Sequence, residues 1–245
     1  MKNIIFYLVG ILVLSGFSGK CQDPGLDEIL SKYYQATGLE KMKDFKTIYC
    51  EGKSNTMGTE YPFRYYKKRP QMMRMEVDIQ GSRMIQAFDG QKGWSVIPWS
   101  GSTEPQDMTA DESKNLKDQG DFEGALYHWK EKGYTVELQG KDQVEGSQAY
   151  KIKLTKPDGD TEIFYIDEDN FVVLKVVDNT KIQGNELESE TDFTNYKPVE
   201  GVLMPYTLQN KFKGMNGEVT NEVQLSTIEI NKEINDSLFV KPVKK

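Results

Sequence analysis

Residues 73–79 read MRMEVDI, with an apolar side chain at every second position and a charged one between. A period of two places alternate side chains on opposite faces of an extended chain, so this stretch predicts a β-strand with one buried face. Tyr61, Phe63 and Tyr65 show the same period just before it. Glycines separate the runs that follow, which is typical of antiparallel strands joined by tight turns.

Strand signals resume after residue 133 and continue almost to the end of the chain. The total comes to roughly eleven or twelve strands, and no linker or low-complexity tract divides them. We therefore expect residues 22–245 to form a single, mainly β domain of the α+β class, with one large, strongly curved antiparallel sheet and a few helices against it. The later runs cover 134–138, 149–154, 162–166, 172–177, 186–196, 203–212 and 219–230.

The segment after residue 22 has a helical period instead. Asp23 can cap this predicted helix, Pro24 suits its first turn and Gly38 can end it. One apolar stripe at the spacing i, i+3, i+4, i+7 predicts an amphipathic helix packed on the sheet. The stripe consists of Leu26, Ile29, Leu30 and Tyr33.

Two further helices are predicted where the strand pattern stops, between residues 100 and 133. Thr109 and Glu112 have the spacing of a capping box, which favours a helix over 110–119. The next helix is expected over 122–132, with Asp121 as its cap and Gly133 as its stop. Its predicted apolar face consists of Phe122, Ala125, Leu126 and Trp129.

Residues 1–21 have the layout of a secretory signal peptide. Lys2 precedes an apolar run over 4–14, which is too short to span a bilayer, and small residues follow. Lipidation at Cys21 is the alternative outcome, but the charged Lys20 stands where a lipoprotein signal wants a small residue. We expect cleavage after Cys21, and an exported, periplasmic chain without a lipid anchor.

The composition argues against several functional classes. His128 is the only histidine, which disfavours multi-histidine metal sites and Ser-His-Asp triads. We therefore predict no enzyme activity, no metal and no cofactor. Loss of residues 1–21 removes two lysines and no acid, so the formal charge moves from −7 to −9. An acidic surface disfavours nucleic acid as a partner.

Adaptable apolar side chains form the strongest remaining signal. The chain has ten Met, three Trp, thirteen Tyr and eleven Phe, and several Met fall on neighbouring predicted strands. Thioethers and aromatic rings suit a cavity whose contents vary in shape, although an ordinary core accounts for them equally well. The basic run 67–69 is either a docking patch or an exposed turn before Pro70, and the turn is the expected reading.

Several local patterns together resemble the LolA/LolB-like outer-membrane lipoprotein-sorting family, in the version typical of Bacteroidetes. The resemblance spans about residues 26–242, and each motif is structural rather than catalytic. The motifs are 65–70 (YYKKRP), 73–76 (MRME), 84–90 (MIQAFDG), 93–94 (GW) with Pro98, 195–205 (NYKPVEGVLMP) and 234–239 (INDSLF) with Pro242.

This resemblance implies a half-open β-barrel whose concave apolar face is covered by a helical lid. The space between them would hold acyl chains, with the predicted 122–132 helix as a candidate lid. No motif fixes a polar anchor for the ligand. The predicted cavity and lid residues are Phe63, Tyr65, Met73, Met75, Val77, Met84, Phe88, Trp94, Trp99, Phe122, Leu126 and Trp129.

The expected function is that of a periplasmic carrier or chaperone. It would bind the acyl chains of lipoproteins, or another hydrophobic ligand, and deliver them toward the outer membrane. An inner-membrane donor and an outer-membrane acceptor are the implied partners. The alternative is a structural or sensory envelope module of the same fold, with a self-filled interior, that acts as an interaction surface.

Overall fold

A computed structural model describes residues 23–182, 185–214 and 217–243 of the 245-residue chain. The predicted signal peptide and its cleavage site, with Cys21, lie outside these residues. Within the described ranges, no helix is both long and apolar enough to cross a membrane.

The described residues form one sheet of thirteen strands, slightly more than the sequence predicts. Every neighbouring pair is antiparallel. The strands are β1 Thr47–Thr56, β2 Thr59–Lys68, β3 Met72–Ile79, β4 Ser82–Phe88, β5 Gly93–Val96, β6 Gln106–Asp107, β7 Thr135–Val144, β8 Ser147–Thr155, β9 Thr161–Asp167, β10 Val173–Ile182, β11 Asn185–Val199, β12 Val202–Gly214 and β13 Gly217–Ile230.

The sheet is strongly curved but does not close. Its order is β6-β5-β4-β3-β2-β1-β13-β12-β11-β10-β9-β8-β7, so β6 and β7 are its two edges and β1 pairs with the last strand, β13. This architecture confirms the predicted half-open barrel. The β1–β13 pairing joins the two ends of the sequence, which local patterning cannot predict.

A bulge in β13, with Ser226 as the extra residue opposite Glu51 and Gly52, helps to curve the sheet where β1 meets β13. The register shifts between Glu51 and Gly52, and a bulge of this kind increases the local bend and twist. A Cβ atom on Gly52 would lie 2.0 Å from the carbonyl oxygen of Gln224. Only glycine therefore allows the two backbones to approach this closely.

Helix α1 (Leu26–Thr37) fills one half of the concave face. Ile29 and Leu30 pack with Ile152, Leu154 and other buried side chains of β7 to β10. Gly38 ends the helix in a left-handed conformation, as predicted. The predicted N-cap is wrong, because Gly25 occupies that position and Asp23 instead accepts a 2.8 Å hydrogen bond from Lys141.

Helix α2 (Ala110–Gln119) crosses the other half of the concave face. Thr109 and Glu112 form the predicted capping box. Leu116 is buried against Met73 and Phe88, and this contact anchors the helix to β3 and β4. Gly120 follows α2, and a Cβ there would lie 2.4 Å from the carbonyl oxygen of Gln71, so the helix end rests directly on the β2–β3 turn.

The predicted helix over 122–132 is wrong, because residues 125–133 form a series of turns. Gly124 and His128 have φ angles of 77° and 52°, and a left-handed residue interrupts the helical repeat. The apolar residues of this segment have helical spacing, but they are buried in two different clusters rather than along one helix face. Phe122 packs with Leu39 and Met42, whereas Leu126 and Trp129 pack with α1 and the strands beneath it.

The last described segment covers part of the convex face. Phe239 is fully buried, and its carbonyl oxygen accepts a 2.7 Å hydrogen bond from Trp94 Nε1. The carbonyl oxygen of Leu238 accepts a 2.9 Å bond from Arg74. These contacts place the indole of Trp94 on the side of the sheet opposite Phe63 and Val77.

Candidate ligand-binding cavity

A cavity of about 1910 Å³ lies between the concave face of the sheet and the elements that cross it. Its floor comes from β1 to β4 and from β10 to β13. Helix α2 and the start of the segment 121–133, which we call the cover segment, form its roof. Side chains packed around α1 fill part of the concave face, and the cavity borders this cluster at Tyr33, Phe164 and Val173.

Much of the floor is apolar. Phe63 and Val77 stand on neighbouring strands and pack with Val223 across the β1–β13 junction. Around these three buried residues lies a ring of partly exposed apolar side chains that face the cavity. The ring consists of Tyr61, Tyr65, Met75, Ile79, Met84, Leu208 and Leu225. Apolar side chains that stay accessible around a large space suit an acyl ligand better than a closed core does.

Lys67 is the polar exception on the floor of β2. It follows Tyr61, Phe63 and Tyr65 on the same face, and its Nζ donates a 2.7 Å hydrogen bond to the carbonyl oxygen of Asp121. Burial lowers the pKa of Lys67 to about 8, although Asp121 and other neighbours act in the opposite direction. A lysine with this pKa still carries its charge at neutral pH.

Arg69 joins the cover segment to the chain before β1. Its guanidinium donates 2.7 Å hydrogen bonds to the carbonyl oxygens of Phe45 and Met42, and it pairs with Glu123 at 2.5 Å. It also stacks over the ring of Phe122 at 4.4 Å. Two of these contacts hold the beginning of the cover segment, and the other two fix the guanidinium to the chain before β1.

The basic run 67–69 is therefore neither one docking patch nor a simple exposed turn. Lys67 points into the cavity, and Arg69 binds the cover segment. Lys68 points to the convex side, where it pairs with Asp236 and donates to the carbonyl oxygen of Ile234. The expected exposed turn was wrong, because β2 continues to Lys68 and sends successive side chains to opposite faces.

A charged wall bounds the cavity where α2 faces the β8–β9 turn and β10. Lys114 of α2 pairs with Asp158 at 2.8 Å and with Asp160 at 2.6 Å. Lys156 pairs with Asp118 of α2 at 2.8 Å and with Glu162 at 2.7 Å. These ion pairs connect the helix to the opposite rim of the sheet.

Asp178 completes the charged wall, and no Lys or Arg among the described residues forms an ion pair with it. Its Oδ1 atom is buried and has no hydrogen-bond partner among the described residues. It lies opposite Glu162 in the β9–β10 pairing. Burial and the charge of Glu162 raise the pKa of Asp178 to about 6, and Lys156 opposes this only in part. This end of the cavity therefore disfavours further negative charge.

No protein-family model matches the sequence, and no curated protein matches it significantly. Solved structures do match. A DUF1329 family protein from Desulfovibrio piger has a TM-score of 0.57 at 13% identity, over 86% of this chain and 97% of that one. A LolA superfamily protein from Nitrosomonas europaea has a TM-score of 0.56 at 16% identity, over 88% and 97%. This chain has the LolA-like fold.

A third structure with the LolA-like fold is an outer membrane lipoprotein-sorting protein domain from Vibrio parahaemolyticus. Its TM-score is 0.57 at 12% identity, over 87% of this chain and 96% of that one. These matches confirm the fold that the sequence motifs indicate.

Seven of the predicted cavity residues line the space in this LolA-like fold, and five do not. Met73 and Phe88 lie beneath α2, Trp94 lies on the convex face, and Leu126 and Trp129 pack beside α1. The seven lining residues are Phe63, Tyr65, Met75, Val77, Met84, Trp99 and Phe122.

Sequence reasoning missed the contribution of the strands on the other side of β1. Leu208, Val223 and Leu225 face Phe63 only because β13 pairs with β1. It also missed Lys67, although the alternation of Tyr61, Phe63 and Tyr65 continues to this residue. The described residues contain no group of three or more His, Cys, Asp or Glu side chains arranged to hold a metal ion.

Proposed function

We propose that this protein is an exported carrier that binds the acyl chains of lipoproteins, or of another hydrophobic ligand, in the cavity beneath α2. The observation that supports this most is the size and lining of that cavity, about 1910 Å³ with an apolar floor that remains accessible. Burial of each CH₂ group contributes about 0.8 kcal/mol, so a single long chain provides substantial affinity without polar contacts.

Shielding from water is the physical purpose of such a site. Exposure of an acyl chain to water is unfavourable in free energy. Contact with Phe63, Met75 and Leu208 would remove that cost while the chain crosses an aqueous compartment. The fold shared with a lipoprotein-sorting domain supports this role. Accordingly we place the protein in the periplasm, between an inner-membrane donor and an outer-membrane acceptor.

Two substitutions on neighbouring residues of β4 test the proposal. Met84 faces the cavity, whereas Ile85 points to the other face of the strand. Met84→Gln places an amide against the bound chain and should weaken binding of a fluorescent fatty acid by about fivefold to tenfold, corresponding to about 1 kcal/mol of lost apolar contact. Ile85→Gln is the matched control and should leave binding unchanged.

Two results would count against the carrier. Equal loss of affinity in the two variants would show that the probe does not occupy the cavity. A wild-type protein that binds no acyl probe and carries no extractable lipid would favour the alternative, an envelope module that uses the same fold as an interaction surface.

A further inference from the structure

We propose that Lys67 is an anion anchor, so that the ligand is an acyl chain bearing an oxyanion head group, a carboxylate or a phosphate. This inference rests on the proposed function, because it assigns a head-group site within the same cavity. It begins with the position of Lys67 at the end of an apolar row on β2. Tyr61, Phe63 and Tyr65 precede it on the same face.

The nearby carboxylates do not neutralise Lys67. Asp121 pairs with Lys132 at 2.5 Å, and Glu123 pairs with Arg69 at 2.5 Å. Among the described residues, no carboxylate lies within ion-pair distance of Lys67. The pairing of the two neighbouring acids with other cations leaves one positive charge over at this end of the cavity.

The ammonium group has a single hydrogen-bond acceptor among the described parts of the chain. A lysine carries three donors, and the carbonyl oxygen of Asp121 satisfies one of them. Its other close neighbours are the rings of Tyr65 at 5.8 Å and Phe122 at 6.0 Å. The buried thiol of Cys50 also lines this region and stays neutral, since burial raises its pKa to about 12. Neutral surroundings with spare donors suit an incoming oxyanion.

The charge distribution gives the bound ligand a direction. The carboxylates of the charged wall, Asp178 and Glu162 among them, repel an anion, whereas Lys67 attracts one. From Lys67 the floor runs past Tyr65 and Phe63 to Tyr61, roughly 20 Å along an extended strand. The head group would therefore lie at Lys67, under Asp121 and Phe122, with the chain extending along the apolar floor.

Competition experiments with three ligands of one chain length test this assignment. Hexadecanoate, hexadecyl phosphate and hexadecanol are each titrated against the wild-type protein loaded with the uncharged probe Nile red, and release of the probe is measured. We expect the two anions, or one of them, to bind about tenfold or more tightly than the alcohol, the range of a charge-assisted hydrogen bond. The anion that is preferred identifies the head-group chemistry.

Lys67→Met should abolish this preference while leaving the affinity for hexadecanol unchanged within about twofold. Lys67→Arg should retain the preference. Lys68→Met is the matched control, since it makes the same change on the opposite face of the strand, and should leave the preference intact.

Equal affinity of the wild-type protein for all three ligands would overturn the anchor while leaving the carrier function standing, and this result needs no variant to fold. If Lys67→Met lowers the affinities for hexadecanol and hexadecanoate by the same factor, the anchor is also overturned. Lys67 would then only hold the cover segment in place. Failure of the wild-type protein to release Nile red to any of them would refute the carrier function itself.

Discussion

Replacing Asp178 with asparagine should stabilise the protein at neutral pH. The carboxyl group has an ordinary pKa of 3.8, which rises to about 6 in the folded chain because of burial and the charge of Glu162. The folded state thus holds the proton more tightly than the unfolded state does. Asp178 therefore costs stability as the pH rises from 3.8 through 6, and the full cost applies above that range.

A shift of this size corresponds to about 3 kcal/mol, and partial exposure of the side chain to cavity solvent reduces it to about 1–2 kcal/mol. Asparagine has nearly the same shape and no charge. Asp178→Asn should therefore unfold at higher urea concentration than the wild type at pH 7.5, with a gain of about 1–2 kcal/mol that fades toward zero near pH 4.

Asp192 provides the matched control on the neighbouring strand and the opposite face. It lies between Lys175 and Lys211, at 3.5 and 2.8 Å. Asp192→Asn removes these ion pairs, so we expect it to lower stability at pH 7.5. Two results would show that the charge of Asp178 does not destabilise the fold. One is a lower free energy of unfolding for Asp178→Asn than for the wild type at pH 7.5, and the other is an equal gain in that free energy at pH 4 and pH 7.5.

Two further predictions concern the elements that cover the cavity. Arg69→Met should cost about 2–4 kcal/mol in urea unfolding, because its carbonyl acceptors lose a charged donor, and should expose residues 121–133 to limited proteolysis. Unchanged proteolysis would show that other contacts hold the segment. Gly120→Ala should cost about 1–3 kcal/mol because its Cβ meets the backbone of Gln71. Gly25→Ala, with open space around it, meets no backbone and should cost less than Gly120→Ala in the same unfolding assay, limited to the small preference for glycine over alanine at an N-cap.

Much of the fold could be predicted because its determinants are local. The alternation in 73–79 fixes one face of β3, and the spacing of Thr109 and Glu112 fixes the start of α2. The turn residues between later strands mark most of the antiparallel hairpins. These features depend on a few neighbouring residues, so no knowledge of distant contacts is needed.

The predicted helix over 122–132 failed for an equally physical reason. Its apolar spacing is helical, but these side chains serve two different buried clusters, and Gly124 and His128 interrupt the repeat. Periodicity alone cannot separate a helix from a series of turns that buries the same residues. Positive φ at His128 is uncommon for a residue with a side chain, and the sequence gives no warning of it.

The candidate cavity was predictable only in part. Strand alternation indicates that Phe63, Met75 and Val77 share a face, but not which part of that face remains open. That division depends on where α1 and α2 cross the sheet, and the opposite wall depends on the pairing of β13 with β1. Trp94 illustrates the limit, since its indole is buried against the segment ending at Phe239 rather than in the cavity.

The central claim, that the cavity holds an acyl chain, is tested most directly by native mass spectrometry of the protein purified from its own cell envelope. We expect a population of the protein to carry one noncovalent adduct with the mass of an acyl lipid. We also expect the adduct to be reduced in Met84→Gln and retained in Ile85→Gln. A single ligand-free mass for the wild-type protein, unchanged after incubation with excess hexadecanoate or hexadecanol, would contradict the claim.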